Sequence, residues 1–223
     1  MTSNTMSIDV IRCEQALAMA VATQSRWLHS LELTHWQRLR SPLRRQHWLA
    51  GRWWLKHLLL KRWNLDIAPR DLLIVSHDAQ NQGIAPRAYA VGKRLSMALS
   101  LSHCDGYVAV AIDTGQPGSC GIDVIDSTIS NFEALRAWVA DEEVPGGRAG
   151  NASQLPAAWA AKEAAFKTLV GEPFRPARIV LRPATSSLWQ WMYRQADKVI
   201  TGEVELQQHS RFVLAIAHRH VPY

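Results

Sequence analysis

The chain has 223 residues, 48% of them hydrophobic, and a formal net charge of +6 at pH 7. That length and apolar content can bury a core for one or two domains, and no apolar run of about 18 residues is present to cross a membrane. Three cysteines (Cys13, Cys104, Cys120) without C-x-x-C spacing argue against a disulfide framework or a zinc site and fit a reducing cytoplasm.

The N-terminal stretch MTSNTMSIDVIRCEQ lacks the charged-then-apolar order of a secretion signal. The charge is then unevenly spread. From His35 to Arg62 there are eight Lys or Arg and no Asp or Glu, which points to an anionic partner. Six of the ten tryptophans precede residue 64, and their plainer reading is core and helix surface. Residues 42–62 are expected as one amphipathic helix with Pro42 in its first turn. Arg45, Arg52 and Lys56 fall on one stripe, and Trp48, Leu55, Leu58 and Leu59 can face a core.

Residues 76–95, with Gly83, Pro86 and Gly92, read as loop. SMALSLSH and YVAVAID read as paired strands joined at Cys104-Asp105-Gly106. DTGQPGSC, residues 113–120, is a turn region. GIDVID follows, then an expected helix at NFEALRAWVADEE and a Gly-rich loop, PGGRAGNAS. A strong helix is expected over Leu155 to Val170, with Trp159, Glu163 and Phe166 on one face. ARIVLR, WQWMYR, VITGEVELQQ and RFVLAIAH complete the chain as strands. YVAVAI from residue 107 echoes FVLAIA from residue 212, which points to two related α+β halves divided near Thr114 to Ser119.

Three segments carry candidate chemistry: SLSH, GIDVID and WAAKEAAFK. Asp123 is an acid between apolar strand neighbours, where a buried carboxylate costs several kcal/mol unless it is paired, hydrogen-bonded or bound to metal. Asp123 and Glu163 together would suit Mg²⁺, which prefers oxygen ligands and completes its shell with water and phosphate. Lys167, one turn after Glu163, could pair with an acid or neutralise a phosphate. Each element also has a plainer reading. Glu163 and Lys167 stand at the spacing of an ordinary helix-surface pair, Asp123 could cap a backbone amide, and Ser102 and His103 could be satisfied core polar groups.

In order and spacing, SLSH, GIDV and WAAKEAAFK resemble the signature series of the 4′-phosphopantetheinyl transferases, specifically the larger Sfp-type enzymes built as a pseudo-dimer in one chain. RRQHWLAGRWWLKHLL is similar to that family's Arg-containing first helix. The resemblance implies an α+β fold of two similar halves, here 1–113 with the coenzyme A phosphate contacts and 114–223 with the metal-binding acids. It implies Mg²⁺-dependent transfer of the phosphopantetheine arm of coenzyme A to a serine of an apo acyl or peptidyl carrier protein, releasing adenosine 3′,5′-bisphosphate. By motif position Asp123 and Glu163 would bind the metal, and Lys167 would stabilise phosphate charge. Arg52, Ser102 and His103 would contact coenzyme A, joined by Arg87 after the Gly-x-Pro element and by the motif lysine Lys162. Glu163, or a water beside it, would take the serine proton. A cytoplasmic monomer is expected, docking a carrier's acidic helix through basic surface, with the segment from Phe132 to Glu143 as a docking place.

One departure is specific. The family's third acid falls at position 125, which is Ile125 here, and Asp126 one residue on would point to the opposite face of a strand. That departure favours a second reading, a non-catalytic relative that binds coenzyme A or a carrier protein without transfer. A nucleic-acid-binding module, argued from the basic, Trp-rich block, leaves Asp123 and Glu163 without a role and lacks a recognisable motif, so no nucleic-acid partner is expected.

Overall fold

The structure, a computed structural model, describes residues 6–21, 24–62, 64–78, 83–114, 119–128, 132–147, 152–195 and 198–220. It is mixed α+β, with three antiparallel sheets among the described residues. The chain divides into two compact units, Met1–Pro117 and Gly118–Tyr223. The turn region 113–120 falls partly outside the described residues, as do parts of the expected helix at 131–143 and of the Gly-rich loop at 145–153. No helix among the described residues is long and apolar enough to cross a membrane.

Unit 1 opens with strand β1 (Met6–Arg12) and helices α1 (Cys13–Val21), α2 (Gln24–Trp27), α3 (Ser30–Arg38) and α4 (Pro42–Arg62). The expected helix 42–62 is α4. Its buried face carries Leu49, Ala50, Leu55, Leu58 and Leu59, because leucines at these spacings fall on one side of a 3.6-residue helix. β2 (Leu72–His77), β3 (Gly83–Ala90) and β4 (Lys93–Arg94) form a small sheet, of which β3, β4 and the end of β2 fall where the sequence reads as loop. Proline in GIAPRAYA argues against a strand, but Pro86 sits beside a register shift between Val75 and His77. β4 pairs β3 further along, at Tyr89 and Ala90. At such an irregularity proline's missing N–H breaks no ladder bond. The other sheet runs β1-β6-β5, with β5 (Ala98–Cys104) and β6 (Tyr107–Asp113) joined at Asp105-Gly106 as expected. Gly106 there has φ 88°, the left-handed region that glycine reaches without strain.

Unit 2 holds a five-stranded sheet in the order β7-β11-β10-β9-β8. Its strands are β7 (Cys120–Asp126), β8 (Ile179–Pro183), β9 (Leu188–Gln195), β10 (Lys198–Gln208) and β11 (Phe212–Arg219). The expected helix after GIDVID is shorter, a single turn and a half at α5 (Phe132–Arg136), followed by a 3₁₀ turn at Asp141–Glu143. Beyond it Glu143 turns inward, accepting from the Ala140 N–H at 2.7 Å and the Leu181 N–H at 3.0 Å. Helix α6 (Leu155–Lys167) begins with Pro156 in its first turn and buries Ala157, Ala158, Ala160, Ala161, Ala164 and Ala165. Trp189, Trp191 and Tyr193 alternate inward from β9 and share its core.

Small side chains let α6 lie close to β7. A Cβ at Gly121 would stand 2.1 Å from the Ala164 carbonyl oxygen and 3.0 Å from the Lys167 Cβ. Gly121→Ala therefore pushes helix from strand and is expected to lower the unfolding free energy by about 3 kcal/mol, the upper end of overpacking penalties. Urea unfolding measures it, and an unchanged midpoint would contradict this close approach.

Candidate functional site

Asp123 lies mid-strand in β7, opposite Ala215, and is 4% exposed. Glu163 and Lys167 stand one turn apart on α6, whose close seat at Gly121 carries both toward that strand. Lys167 Nζ donates to Asp123 Oδ1 at 2.7 Å and to the Ile122 carbonyl at 2.8 Å. The half-buried Glu163 carboxyl hydrogen-bonds both Asp123 and Trp159, its neighbour one turn back. Two acids forty residues apart in sequence thus meet, with one ammonium alongside.

The electrostatics follow from that packing. Burial, and then the Asp123 charge, push the Glu163 carboxyl up to about 7, while Lys167 and the Trp159 hydrogen bond pull it down. Near neutrality a carboxyl–carboxylate pair holds a proton. Two hard oxygen donors competing for one proton also suit a small divalent cation, so Asp123 and Glu163 fit Mg²⁺ as a pair with open positions. No third His, Cys, Asp or Glu joins them among the described residues. Ile125 instead packs in the core with the alanines of α6. Asp126 accepts from the Thr128 N–H and hydroxyl, each at 2.7 Å, so it shapes the strand's exit.

Lys162 is placed differently. It is 2% exposed and pairs with Glu143 at 2.7 Å while donating to the Pro176 carbonyl at 3.2 Å. Its ammonium fastens α6 to the turn before β8 rather than facing Asp123.

In unit 1 two members of the basic stripe also turn inward. Lys56 pairs with Glu32 at 2.5 Å and donates to the carbonyls of Trp27 and Pro69, each at 3.1 Å. Arg52 lies 3.9 Å from the same carboxylate, donates to the Ser76 hydroxyl and covers the Trp48 ring at 5.0 Å. Burial pushes its guanidinium down to about 10, opposed by Glu32. The third, Arg45, covers the Trp36 ring and donates to the Leu39 and Gln37 carbonyls. Ser102 is buried in β5, and the exposed His103 stands 4.7 Å from His47 of α4, ring to ring. Arg87 is half-buried in β3, opposite Val75.

Sequence reasoning missed the imidazoles around Arg52. His35 and His77 stack at 4.6 Å. His77 is pushed down to about 4, first by burial and then by His35, Arg52 and Arg44, so it is neutral at physiological pH. Glu32 was missed as well, although it is the last acid before the acid-free block.

No protein-family model matches the chain, and no curated protein matches it.

Glu163→Gln removes a charge that the metal-free fold disfavours. The folded value of about 7 lies above the unfolded value of about 4.3. The penalty is therefore absent below pH 4, grows between the two values and is complete above pH 7. With a chelator present, Glu163→Gln should melt on the order of 2–4 °C higher than the parent at pH 8 and together with it at pH 4.5. Scanning calorimetry at both pH values checks the sign.

Proposed function

We propose that the chain is a Mg²⁺-dependent 4′-phosphopantetheinyl transferase of two similar α+β halves, acting on coenzyme A and an apo carrier protein. The observation that carries this reading is the meeting of Asp123, Glu163 and Lys167 on β7 and α6. Those are the positions at which the family resemblance puts metal-binding acids and a phosphate-neutralising lysine. A lone helix-surface pair would need no buried aspartate.

The reaction joins a serine oxygen of the carrier to the β-phosphorus of coenzyme A and breaks that phosphorus's bond to the bridging oxygen. The oxygen leaves with adenosine 3′,5′-bisphosphate. When bound, Mg²⁺ neutralises the pyrophosphate and makes the phosphorus more electrophilic. Asp123 and Glu163 would hold it, both through carboxylate oxygens. Lys167, already within ion-pair distance of Asp123, is placed to balance charge that develops on a phosphoryl oxygen. Glu163, or a water beside it, would accept the serine proton, while Lys167 pairs with Asp123. The resemblance assigns phosphate contacts to Arg52, Ser102 and His103 of unit 1, with Arg87 an additional cation on β3. Lys162 is assigned to the fold, through Glu143.

Ile125 favours the second reading, binding without transfer, and one experiment separates the two. The chain is incubated with apo carrier protein, coenzyme A and Mg²⁺, and the carrier is weighed by mass spectrometry. A gain of one phosphopantetheine is expected, and Asp123→Asn or Glu163→Gln should slow it by about 10²–10³-fold, as for loss of a main electrostatic contributor. Saturable coenzyme A binding with an unchanged carrier mass establishes the binder instead. Neither binding nor transfer across a panel of carriers refutes both.

A further inference from the structure

The two units repeat each other residue by residue around the candidate site. β1 contains Ser-Ile-Asp-Val-Ile and β7 contains Gly-Ile-Asp-Val-Ile, with Asp9 and Asp123 each fourth in a seven-residue strand. Their registers agree. Asp9 faces Val110 and Asp123 faces Ala215, each the fourth residue of the neighbouring strand. The long helices repeat as well. Trp53, Lys56, His57 and Lys61 of α4 have the spacing of Trp159, Lys162, Glu163 and Lys167 of α6.

Side-chain contacts fix this alignment independently of sequence. Lys56 meets Glu32 and the Pro69 carbonyl, and Lys162 meets Glu143 and the Pro176 carbonyl. Glu32 accepts from the N–H three residues before it and from Ile74, third in β2. Glu143 accepts from the N–H three residues before it and from Leu181, third in β8. With both lysines anchored alike, the residue after each takes the same position on its helix. His57 is therefore the counterpart of Glu163. It lies within the electrostatic reach of Asp9 and Lys61, as Glu163 does of Asp123 and Lys167. The difference is Arg62, whose Nη2 stands 3.1 Å from Asp9 Oδ2.

We infer that Asp9, His57 and Lys61 are a second, closed copy of the Asp123, Glu163 and Lys167 site, in which Arg62 occupies the place of the cation. One acid is replaced by an imidazole, and the other carries an internal guanidinium as its counter-ion. The chain consequently takes one divalent ion, and unit 1 becomes a divalent-cation site when the second acid is restored and Arg62 is withdrawn. This rests on the metal reading of Asp123 and Glu163.

The test counts Mn²⁺, an oxygen-preferring divalent probe with a solution EPR signal, bound to the full chain. The parent is expected to bind one ion and Glu163→Gln none. Adding His57→Glu and Arg62→Gln to Glu163→Gln should bring the count back to one, whereas His57→Glu with Arg62 kept should leave it at zero. Arg62→Met, which retains the apolar stem, replaces Arg62→Gln if circular dichroism shows loss of fold. A folded triple variant that stays at zero while the parent binds one overturns the inference and leaves the metal reading standing. Restored binding with Arg62 kept overturns the role given to Arg62. A parent that binds none refutes the metal reading and, with it, this inference.

Discussion

A lysine ammonium buried against a single glutamate holds the long helix of each unit in place. Such a pair is costly to remove from water unless each remaining polar atom is satisfied. Both pairs meet that condition in the same way, because each carboxylate also receives two backbone N–H groups and each ammonium also reaches a carbonyl at the head of a 3₁₀ turn. Helix, turn and strand are thereby fixed at one point. Since successive helical residues are about 100° apart, fixing the azimuth of Lys162 also fixes that of Glu163. The candidate site is a consequence of that anchor and of the missing side chain at Gly121.

The sequence made the helices with the strongest patterns legible, and the strands with strict alternation or continuous apolar runs. α4, α6 and the strands from β8 to β11 lie close to where periodicity puts them. The failures have identifiable physical causes. β3 was hidden by Pro86, which a register shift accommodates. α5 was overestimated because Glu143 looks like a helix-surface acid, yet it serves a distant strand and a distant lysine. Convergence of Asp123 with Glu163 was expected from the family resemblance, whereas the inward turn of Lys162, Lys56 and Arg52 was not, since nothing in a lysine or arginine of a helix says that a buried glutamate awaits it. YVAVAI and FVLAIA form β6 and β11, and SIDVI and GIDVI, which the sequence reading did not compare, lie in β1 and β7.

The buried partners also change the meaning of the charge. A formal +6 with eight cations in one acid-free block reads as a surface for an anion. Lys56 is consumed internally and Arg52 is shared between Glu32, Ser76 and Trp48, so the field left for an outside partner is weaker than the count implies. What remains near Arg52 is a group of imidazoles, of which His77 is held neutral. Neutral imidazoles beside a desolvated guanidinium can donate hydrogen bonds or accept a proton as an anion arrives, which a fixed cluster of lysines cannot do.

Ile125 then decides what kind of metal site unit 2 can offer. Along β7 the side chains alternate, so Ile125 shares the face of Asp123 while Asp126 points away and is bound to Thr128. A third carboxylate would have to displace Ile125 from a core packed with the alanines of α6, where an unpaired charge is unfavourable. An ion held by Asp123 and Glu163 therefore takes its remaining ligands from water or from a bound phosphate. On the proposed metal reading, affinity for the free ion would be lower than that of a three-acid site and would rise when a phosphate-bearing ligand completes the shell, because each binding event removes charge that opposes the other. On the proposed function, Ile125 at the third-acid position would weaken the hold on the ion without removing it, which is compatible with transfer as long as Lys167 balances the remaining charge.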